Sequence, residues 1–388
     1  MNRERAAEAG STAEQRSTPF RFYDNRQKYL AFVNTCNEKS AIASRAAQEL
    51  KHVRATPPAI RLFDAGMGDA TVLSRLMRST HSMAPTVPQL VVAKEISLED
   101  VRLGLEKMPD RFLEHPSTVL VITNLNYSEA PRLMPRDIQS AAALNWHEVR
   151  LKGQTSHEYA EQIDELAATL AFGWQTKPSP KTGNPVYVRP SVLVVYREDH
   201  RFMLDRVIPK PGQTFENYDL IVASQPWRAR NPAKFKAERV VAPLARSLAP
   251  NGRLLVIQSY GRDPGLEIVQ KLWPDENPFQ VDCRQLLSAL KAELGREASE
   301  FSLVAPTDDK SIFRYEMHTL PTEIGDRIGT STLFAAWNAA IYVNQIEDER
   351  LDKVVTQGMY LDVTQAVLQK HGGLWFNDET FVVSRRQK

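Results

Sequence analysis

Short apolar segments alternate with helical segments over much of the chain, and this alternation limits the possible folds more than any other feature. Five segments rich in Val, Ile and Leu are predicted as strands: Ile60–Phe63, Leu90–Lys94, Thr118–Ile122, Tyr218–Ala223 and Arg253–Ile257. Helix-forming sequence separates the first three from one another and the last two from each other. Nearly continuous apolar strands joined by helices are typical of a parallel sheet covered on both faces. We therefore predict an α/β fold.

The remaining sequence suggests how the chain is organised around this sheet. Residues 1–18 contain no Leu, Ile, Val or aromatic residue, which predicts a disordered tail and excludes a signal peptide. Residues 19–58 are predicted to form a helical lid or cap that brings Tyr23 and Tyr29 to the substrate. Residues 128–217 interrupt the alternation and are interpreted as an inserted, substrate-facing subdomain with helices over 138–149 and 158–171. The core then comprises 59–127 and 218–388, including added C-terminal helices.

Composition excludes several classes of protein. The chain of 388 residues has 49 Lys and Arg against 47 Asp and Glu, so a polybasic arm is not its dominant feature. Its two cysteines, Cys36 and Cys283, are too few for a disulfide framework and fit a reducing cytoplasm. No apolar run approaches the roughly 20 residues that span a bilayer. The histidines form no cluster, so no metal is predicted.

The segment Asp64–Ala70 (DAGMGDA) follows the first predicted strand and precedes a helix. Its glycines, Gly66 and Gly68, permit a tight turn and a close approach of the backbone to a ligand. A dinucleotide fingerprint would need a third glycine where Thr71 stands. Asp69, at the start of the helix, would also repel a pyrophosphate. A ligand with a cationic amino-acid end suits this turn better.

This turn resembles the first motif of the class I S-adenosylmethionine-dependent methyltransferases, [D/E]-x-G-x-G-x-G, with Ala70 in place of the last glycine. The resemblance implies a Rossmann-like sheet, S-adenosylmethionine as cofactor and S-adenosylhomocysteine as product. Glu95, which ends the second strand, is expected to accept both ribose hydroxyls, although the same position suits a dinucleotide. Asn124 and Leu125 would lie beside the adenine. The expected cofactor-binding residues are thus Asp64, Ala65, Gly66, Met67, Gly68, Glu95, Asn124 and Leu125.

The fourth predicted strand ends in Ser224–Trp227 (SQPW), which resembles the [D/N/S]-P-P-[Y/F/W] motif of amino-group methyltransferases. Gln225 replaces the first proline of that motif. The resemblance implies that Ser224 and Gln225 accept hydrogen bonds from the target NH and that Trp227 packs on a planar substrate, with Pro226 also touching it. The turn at Leu248–Ile257 resembles the family's entry into its fifth strand. We therefore expect methyl transfer to a nitrogen of a small molecule.

Other functions remain open at this stage. One is a non-catalytic methyltransferase-like binding or scaffold subunit. Another is a nucleic-acid amino methyltransferase, with Trp227 stacking on a base and the basic stretch Arg228–Arg246 binding phosphates. An aminopropyl transferase would need acidic residues where Asn124 and Ser224 stand, and a nicotinamide dehydrogenase would need the third glycine. The sequence predicts neither an oligomeric state nor a particular acceptor.

Overall fold

The computed structural model describes residues 26–54, 56–180, 183–213, 216–319, 321–325 and 327–387. The predicted tail and Tyr23 lie outside the described residues. The strands are β1 (Ile60–Asp64), β2 (Gln89–Lys94), β3 (Thr118–Thr123), β4 (Asn145–Leu151), β5 (Thr176–Pro178), β6 (Pro185–Tyr187), β7 (Ser191–Arg197), β8 (Tyr218–Ser224), β9 (Leu248–Ser259), β10 (Phe301–Ser302), β11 (Ile312–Glu316) and β12 (Trp375–Arg385).

The helices surround the sheet and cap one end of it. They are α1 (Arg26–Thr35), α2 (Glu38–Leu50), α3 (Thr71–Met83), α4 (Leu98–Leu105), α5 (Pro109–Glu114), α6 (Ile138–Ala142), α7 (Ser156–Asp164), α8 (Ala167–Gly173), α9 (Arg201–Leu204), α10 (Ala233–Lys236), α11 (Ala242–Arg246), α12 (Pro264–Leu272), α13 (Cys283–Leu294), α14 (Asp308–Ser311), α15 (Thr330–Val343), α16 (Asp348–Gln357) and α17 (Met359–His371). A turn of π-helix (Ala237–Val241) joins α10 to α11.

The central sheet has the strand order β10-β12-β9-β8-β1-β2-β3-β7-β4, and β11 also pairs with β12. The five strands predicted from the apolar segments, β1, β2, β3, β8 and β9, are parallel to their neighbours within this group. Strand β12 runs antiparallel to β9, and β7 runs antiparallel to β3. The predicted Rossmann-like α/β sheet is therefore confirmed.

Both faces of the parallel strands are buried, which explains their continuous apolar sequence. Phe63 and Val92 pack on one face with α11 and α13, whereas Leu62 and Val91 pack on the other with α2, α3, α4 and α5. Successive side chains of a strand point to opposite faces, so a strand without polar positions needs helices on both. This arrangement leaves only the ends of the strands open to a ligand.

The segment 128–217 extends the same sheet. Strand β7 pairs with β3, and β4 pairs in parallel with β7 at the edge, while β5 and β6 form a separate hairpin. The predicted helix over 138–149 is wrong beyond Ala142, because Asn145–Leu151 pairs with Ser191–Arg197 as a strand. The hydrogen bonds to β7 stabilise the strand conformation, and the local sequence pattern contains no information about this distant partner.

The C-terminal helices form a third apolar cluster at one end of the sheet. Phe32 of α1, Ile268 of α12, Trp337 of α15 and Val367 of α17 pack there around Phe376 of β12. The chain turns at Gly358, whose φ is +72°, and this turn separates α16 from α17. The cluster holds α1 and α15 over the end of the sheet where the ligand cavity opens.

Candidate functional site

A cavity lies where the strand order of the sheet reverses. Strand β1 lies between β2, which follows it in the chain, and β8, which follows much later. Open α/β sheets bind ligands at such a switch point, beyond the carboxyl ends of the strands. The cavity has a volume of about 750 Å³, within the usual range for small-molecule sites. Its lining includes Gly66, Gly68, Glu95 and Ser224–Pro226. The predicted glycine turn and the acceptor motif (Ser224–Trp227) therefore meet there.

The glycine turn is held between β8 and β2 by its backbone. The Ala65 amide donates to the Val222 carbonyl at 2.9 Å, and the Met67 amide donates to the Lys94 carbonyl at 3.0 Å. Ala65 and Met67 are buried behind the turn, and the described residues that line the cavity do not include them. Gly68 has a φ of +52°, and a Cβ added there would lie 3.1 Å from the Tyr29 hydroxyl. A side chain at Gly68 would thus narrow the cavity.

The amides of this turn are bonded to carboxylates of the chain itself. The Gly66 amide donates to Asp64 Oδ1 at 3.1 Å, and the Gly68 amide donates to Glu95 Oε2 at 2.8 Å. The Thr71 amide donates to Asp69 Oδ1 at 3.2 Å. Burial raises the pKa of Asp64 to about 6. The amides of Gly66, Gly68 and Thr71 are therefore not free to cradle a phosphate. Asp64 itself is buried and does not line the cavity, whereas Glu95 does.

Glu95 is a bridge between the glycine turn and the start of α4. Besides the Gly68 amide, its carboxylate accepts hydrogen bonds from the amides of Ile96 at 2.7 Å and Ser97 at 2.9 Å. Burial raises the pKa of Glu95, and the backbone hydrogen bonds oppose this. A carboxylate has about four acceptor positions, so roughly one remains for a ligand. The structure therefore gives Glu95 a second role, which is to fix the shape of the turn.

Asn124 and Leu125 do not line the cavity, which contradicts the prediction that they lie beside the adenine. Asn124 is 1% exposed; its Nδ2 donates to the Gly173 and Arg189 carbonyls at 3.0 Å, and its Oδ1 accepts from the Ser191 amide at 2.8 Å. Leu125 is fully buried in the core. Asn124 instead fastens the end of β3 to the inserted segment, because a buried amide must have its hydrogen bonds satisfied.

The acceptor motif is divided between the cavity and the core. Ser224, Gln225 and Pro226 line the cavity. Gln225 has a φ of +49°, and its side chain is held on both sides: Nε2 donates to Asp378 Oδ1 at 3.1 Å, and Oε1 accepts from the Ser259 amide at 3.1 Å. The side chain therefore joins the end of β8 to β12 and β9.

Trp227 points away from the cavity, so its predicted packing on a substrate is corrected. It is 6% exposed, and its indole Nε1 donates to Gln258 Oε1 at 3.1 Å. The Lys236 ammonium lies 5.3 Å from the centre of the Trp227 ring. Burial lowers the pKa of Lys236 to about 8. The positive φ of Gln225 redirects the chain just before Trp227, a conformation that is rare for glutamine.

Several lining residues come from elements far from the motifs. Tyr29, which was predicted to contact substrate, lines the cavity from α1 together with Lys39 of α2, Tyr342 of α15 and Tyr127. The Tyr127 hydroxyl donates to the Pro226 carbonyl at 3.0 Å. Sequence reasoning did not identify Lys39, Tyr127 or Tyr342 as residues of this cavity. Nothing local marks these residues, because their place depends on helix packing.

The basic stretch after Trp227 is largely engaged within the protein. Arg230 contacts Glu276 at 2.5 Å and Arg246 contacts Glu297 at 2.8 Å, while Lys236 is 2% exposed. These contacts leave fewer cations for a nucleic-acid backbone than the sequence suggested.

Within the described ranges, no group of three or more His, Cys, Asp or Glu side chains could hold a metal ion. No helix in that part of the chain is long and apolar enough to cross a membrane.

Comparisons with known proteins give distant structural likenesses. No family model and no curated protein matches the chain. Among solved structures, it is similar to StiE O-MT (13% identity, 96% of this chain and 84% of that chain, TM-score 0.32). It is also similar to geranyl diphosphate methyltransferase with GPP and sinefungin (11%, 89% and 78%, 0.32) and to the plantazolicin methyltransferase BpumL with SAH (7%, 94% and 91%, 0.33). Likenesses this distant do not identify a function, so a functional assignment depends on the site.

Proposed function

We propose that this protein is a class I S-adenosylmethionine-dependent methyltransferase whose acceptor is a nitrogen of a small molecule. One observation carries the proposal: the cavity at the switch point joins the glycine turn and the Glu95 carboxylate to Ser224–Pro226 at the end of β8. A ligand that spans this cavity would have its cationic part near the turn and its reacting part near β8. S-adenosylmethionine, when bound, supplies a methyl group on a positively charged sulfur.

The chemistry of the turn supports this cofactor over a dinucleotide. Carboxylates already accept the amide hydrogens of Gly66, Gly68 and Thr71, so a pyrophosphate would compete with fixed negative charges. A sulfonium or ammonium group is attracted by the same charges. The absent side chains at Gly66 and Gly68 leave room for close approach of a ligand. The residues that would hold the cofactor are Gly66, Gly68 and the remaining acceptor position of Glu95.

The chain's own contribution to methyl transfer would be positioning. Tyr127 holds the Pro226 carbonyl, and Asp378 with Ser259 holds Gln225, so the backbone at the end of β8 is rigid. A rigid backbone can fix an acceptor nitrogen in line with the bond to be broken, which is the main requirement for this reaction.

The free, buried cysteines suit a reducing compartment, and we propose the cytoplasm.

Calorimetric titration with S-adenosylhomocysteine tests the proposal, with NAD⁺ as the competing ligand. We expect the protein to bind S-adenosylhomocysteine and not NAD⁺. The Glu95→Gln variant should bind S-adenosylhomocysteine about tenfold more weakly, since an amide offers one acceptor oxygen for three backbone donors. The proposal fails if the unmodified protein does not bind S-adenosylhomocysteine, or if Glu95→Gln binds it as tightly as the unmodified protein.

A further inference from the structure

A second cavity, of about 390 Å³, lies at the other end of the sheet from the large cavity of the glycine turn. Strand β9 shows the separation: its Arg253 lines the second cavity and pairs with Leu220 near the start of β8, whereas the large cavity opens at Ser224, where β8 ends. Among the described residues, the two cavities share no lining residue. A ligand of the second cavity would therefore not compete with one bound at the glycine turn.

The lining of the second cavity is strongly basic. We call this cavity the basic pocket, because it is lined by Arg54, Arg253, Arg385, Arg386 and His52. Its other lining residues are neutral, and no carboxylate of the described residues lines it. Three separate segments supply the arginines: the chain after α2, strand β9 and the end of β12. The fold therefore gathers these cations from distant parts of the sequence into one concave site.

Two of the arginines are fixed by the protein before any ligand arrives. Arg253 contacts Glu49 Oε2 through Nε and through Nη2, both at 2.7 Å. Arg385 donates from Nη1 to the Leu248 carbonyl at 2.9 Å and from Nη2 to Glu300 Oε2 at 3.0 Å. The two side chains are only 23% and 26% exposed. A guanidinium has five N–H donors, so each of them keeps donors beyond these contacts, and their fixed positions lower the entropy cost of binding.

The other two arginines of the pocket, Arg54 and Arg386, are exposed. Neither has an ion-pair partner among the described residues. An arginine that is neither buried nor paired is free to turn its planar fork of donors towards an anion. Arg54 and Arg386 can therefore close on a ligand that rests against the fixed pair, Arg253 and Arg385.

The carboxylates near the basic pocket do not neutralise it. Glu49 is shared, because its Oε1 also accepts from Arg45 Nη1 at 2.7 Å while its Oε2 contacts Arg253. Glu300 pairs with Arg385. Within the part of the chain that the structure describes, five arginines in or beside the pocket thus share two carboxylates. The excess positive charge is self-repulsive, and a bound anion would relieve that repulsion.

We infer that the basic pocket binds a diphosphate group, either as free pyrophosphate or as part of a nucleotide. Guanidinium forks pair with phosphate oxygens through two parallel hydrogen bonds. A single phosphate carries roughly two negative charges and could not occupy four guanidinium groups at once, whereas two linked phosphates offer twice the charge and oxygens on two sides. The volume suits a small molecule of this kind. The inference is independent of the proposed function, because S-adenosylmethionine carries no phosphate.

The test is calorimetric titration of the full-length protein at about 0.15 M salt with pyrophosphate, phosphate, sulfate and uridine diphosphate. We expect pyrophosphate to bind at least tenfold more tightly than phosphate or sulfate. Uridine diphosphate distinguishes the two sources: tighter binding than pyrophosphate indicates a nucleotide, and weaker binding indicates the free anion. Equal affinities for pyrophosphate and sulfate, or no binding of pyrophosphate, overturn the inference. A short single-stranded oligonucleotide that binds more tightly than both diphosphates also overturns it, because the ligand would then be a nucleic-acid backbone.

Variants then locate the binding. Arg54→Gln and Arg386→Gln should each weaken pyrophosphate binding about fivefold, and the double variant at least tenfold, because hydrogen bonds to charged groups are lost. Both side chains are exposed and unpaired among the described residues, so the fold should survive. Arg206→Gln is the matched control, since Arg206 is also exposed and does not line the pocket. Unchanged pyrophosphate affinity in the double variant, or an equal loss in Arg206→Gln, contradicts the inference.

Binding of S-adenosylhomocysteine by the same variants separates this inference from the proposed function. Its affinity should stay within twofold in the double variant Arg54→Gln/Arg386→Gln, because neither residue lines the large cavity. If the unmodified protein binds pyrophosphate but not S-adenosylhomocysteine, the basic pocket stands and the proposed function fails. If it binds S-adenosylhomocysteine but not pyrophosphate, only the basic pocket is refuted.

Discussion

The substitution Gly68→Ala is the sharpest single test of the glycine turn. Gly68 has a φ of +52°, its amide donates to Glu95, and an added Cβ would lie 3.1 Å from the Tyr29 hydroxyl in the wall of the large cavity. Two effects are therefore expected. One is the conformational cost of a left-handed alanine, and the other is the loss of space for a ligand.

The first effect can be separated from the second with a matched control. Gly372 has a φ of +69°, and a Cβ added there meets no atom within 4 Å. An alanine in the left-handed region costs about 1–2 kcal/mol, so both variants should lose about that much free energy of unfolding. Ala70, with a φ of 58°, already adopts this conformation in the same turn. The fold of Gly68→Ala should therefore survive.

Only Gly68→Ala should lose affinity for S-adenosylhomocysteine. We expect its dissociation constant to rise at least tenfold by calorimetry, which corresponds to about 1.4 kcal/mol. The Tyr29 hydroxyl has no hydrogen-bond partner among the described residues, so Tyr29→Phe should cost little stability. In the double variant Gly68→Ala/Tyr29→Phe, removal of the Tyr29 hydroxyl should make binding about threefold tighter than in Gly68→Ala alone. The reasoning is refuted if Gly68→Ala binds within twofold of the unmodified protein, or if Gly372→Ala weakens binding equally.

Three further predictions concern the framework of the site. In Gly265→Ala, the added Cβ would lie 2.1 Å from the buried Phe376 ring, so urea denaturation should give a free energy of unfolding lower by about 2–3 kcal/mol; an unchanged midpoint would contradict this packing. Burial raises the pKa of Asp263 from 3.8 to about 6, so the folded state binds more protons between those values and stability should fall as pH rises through them, by up to about 3 kcal/mol. Asp263→Asn should flatten that slope, and an unchanged slope would assign the titration to another group. Trp227→Phe should lower the free energy of unfolding by about 1–3 kcal/mol, because the hydrogen bond to Gln258 is lost, while the affinity for S-adenosylhomocysteine stays within twofold. A large loss of affinity would show that Trp227 contributes to ligand binding.

The sequence predicted the positions of the five parallel strands and of the two turns that meet at the cavity. These features are encoded locally, because a strand buried on both faces needs continuous apolar sequence and a tight turn needs glycine. The same reasoning was wrong for Asn124 and Trp227. A polar residue after a strand and an aromatic residue after a proline have the same local pattern whether they face a ligand or the core. Burial and hydrogen bonding decide between these outcomes.

The sequence by itself determined a Rossmann-like sheet with a glycine turn at the end of its first strand. Only the tertiary structure decided which side chains complete the site. Lys39, Tyr127 and Tyr342 reach the cavity from three separate segments of the chain. The reason is physical: a strand or turn depends on neighbours in sequence, whereas these contacts exist only after helices far apart in the chain pack against one end of the sheet.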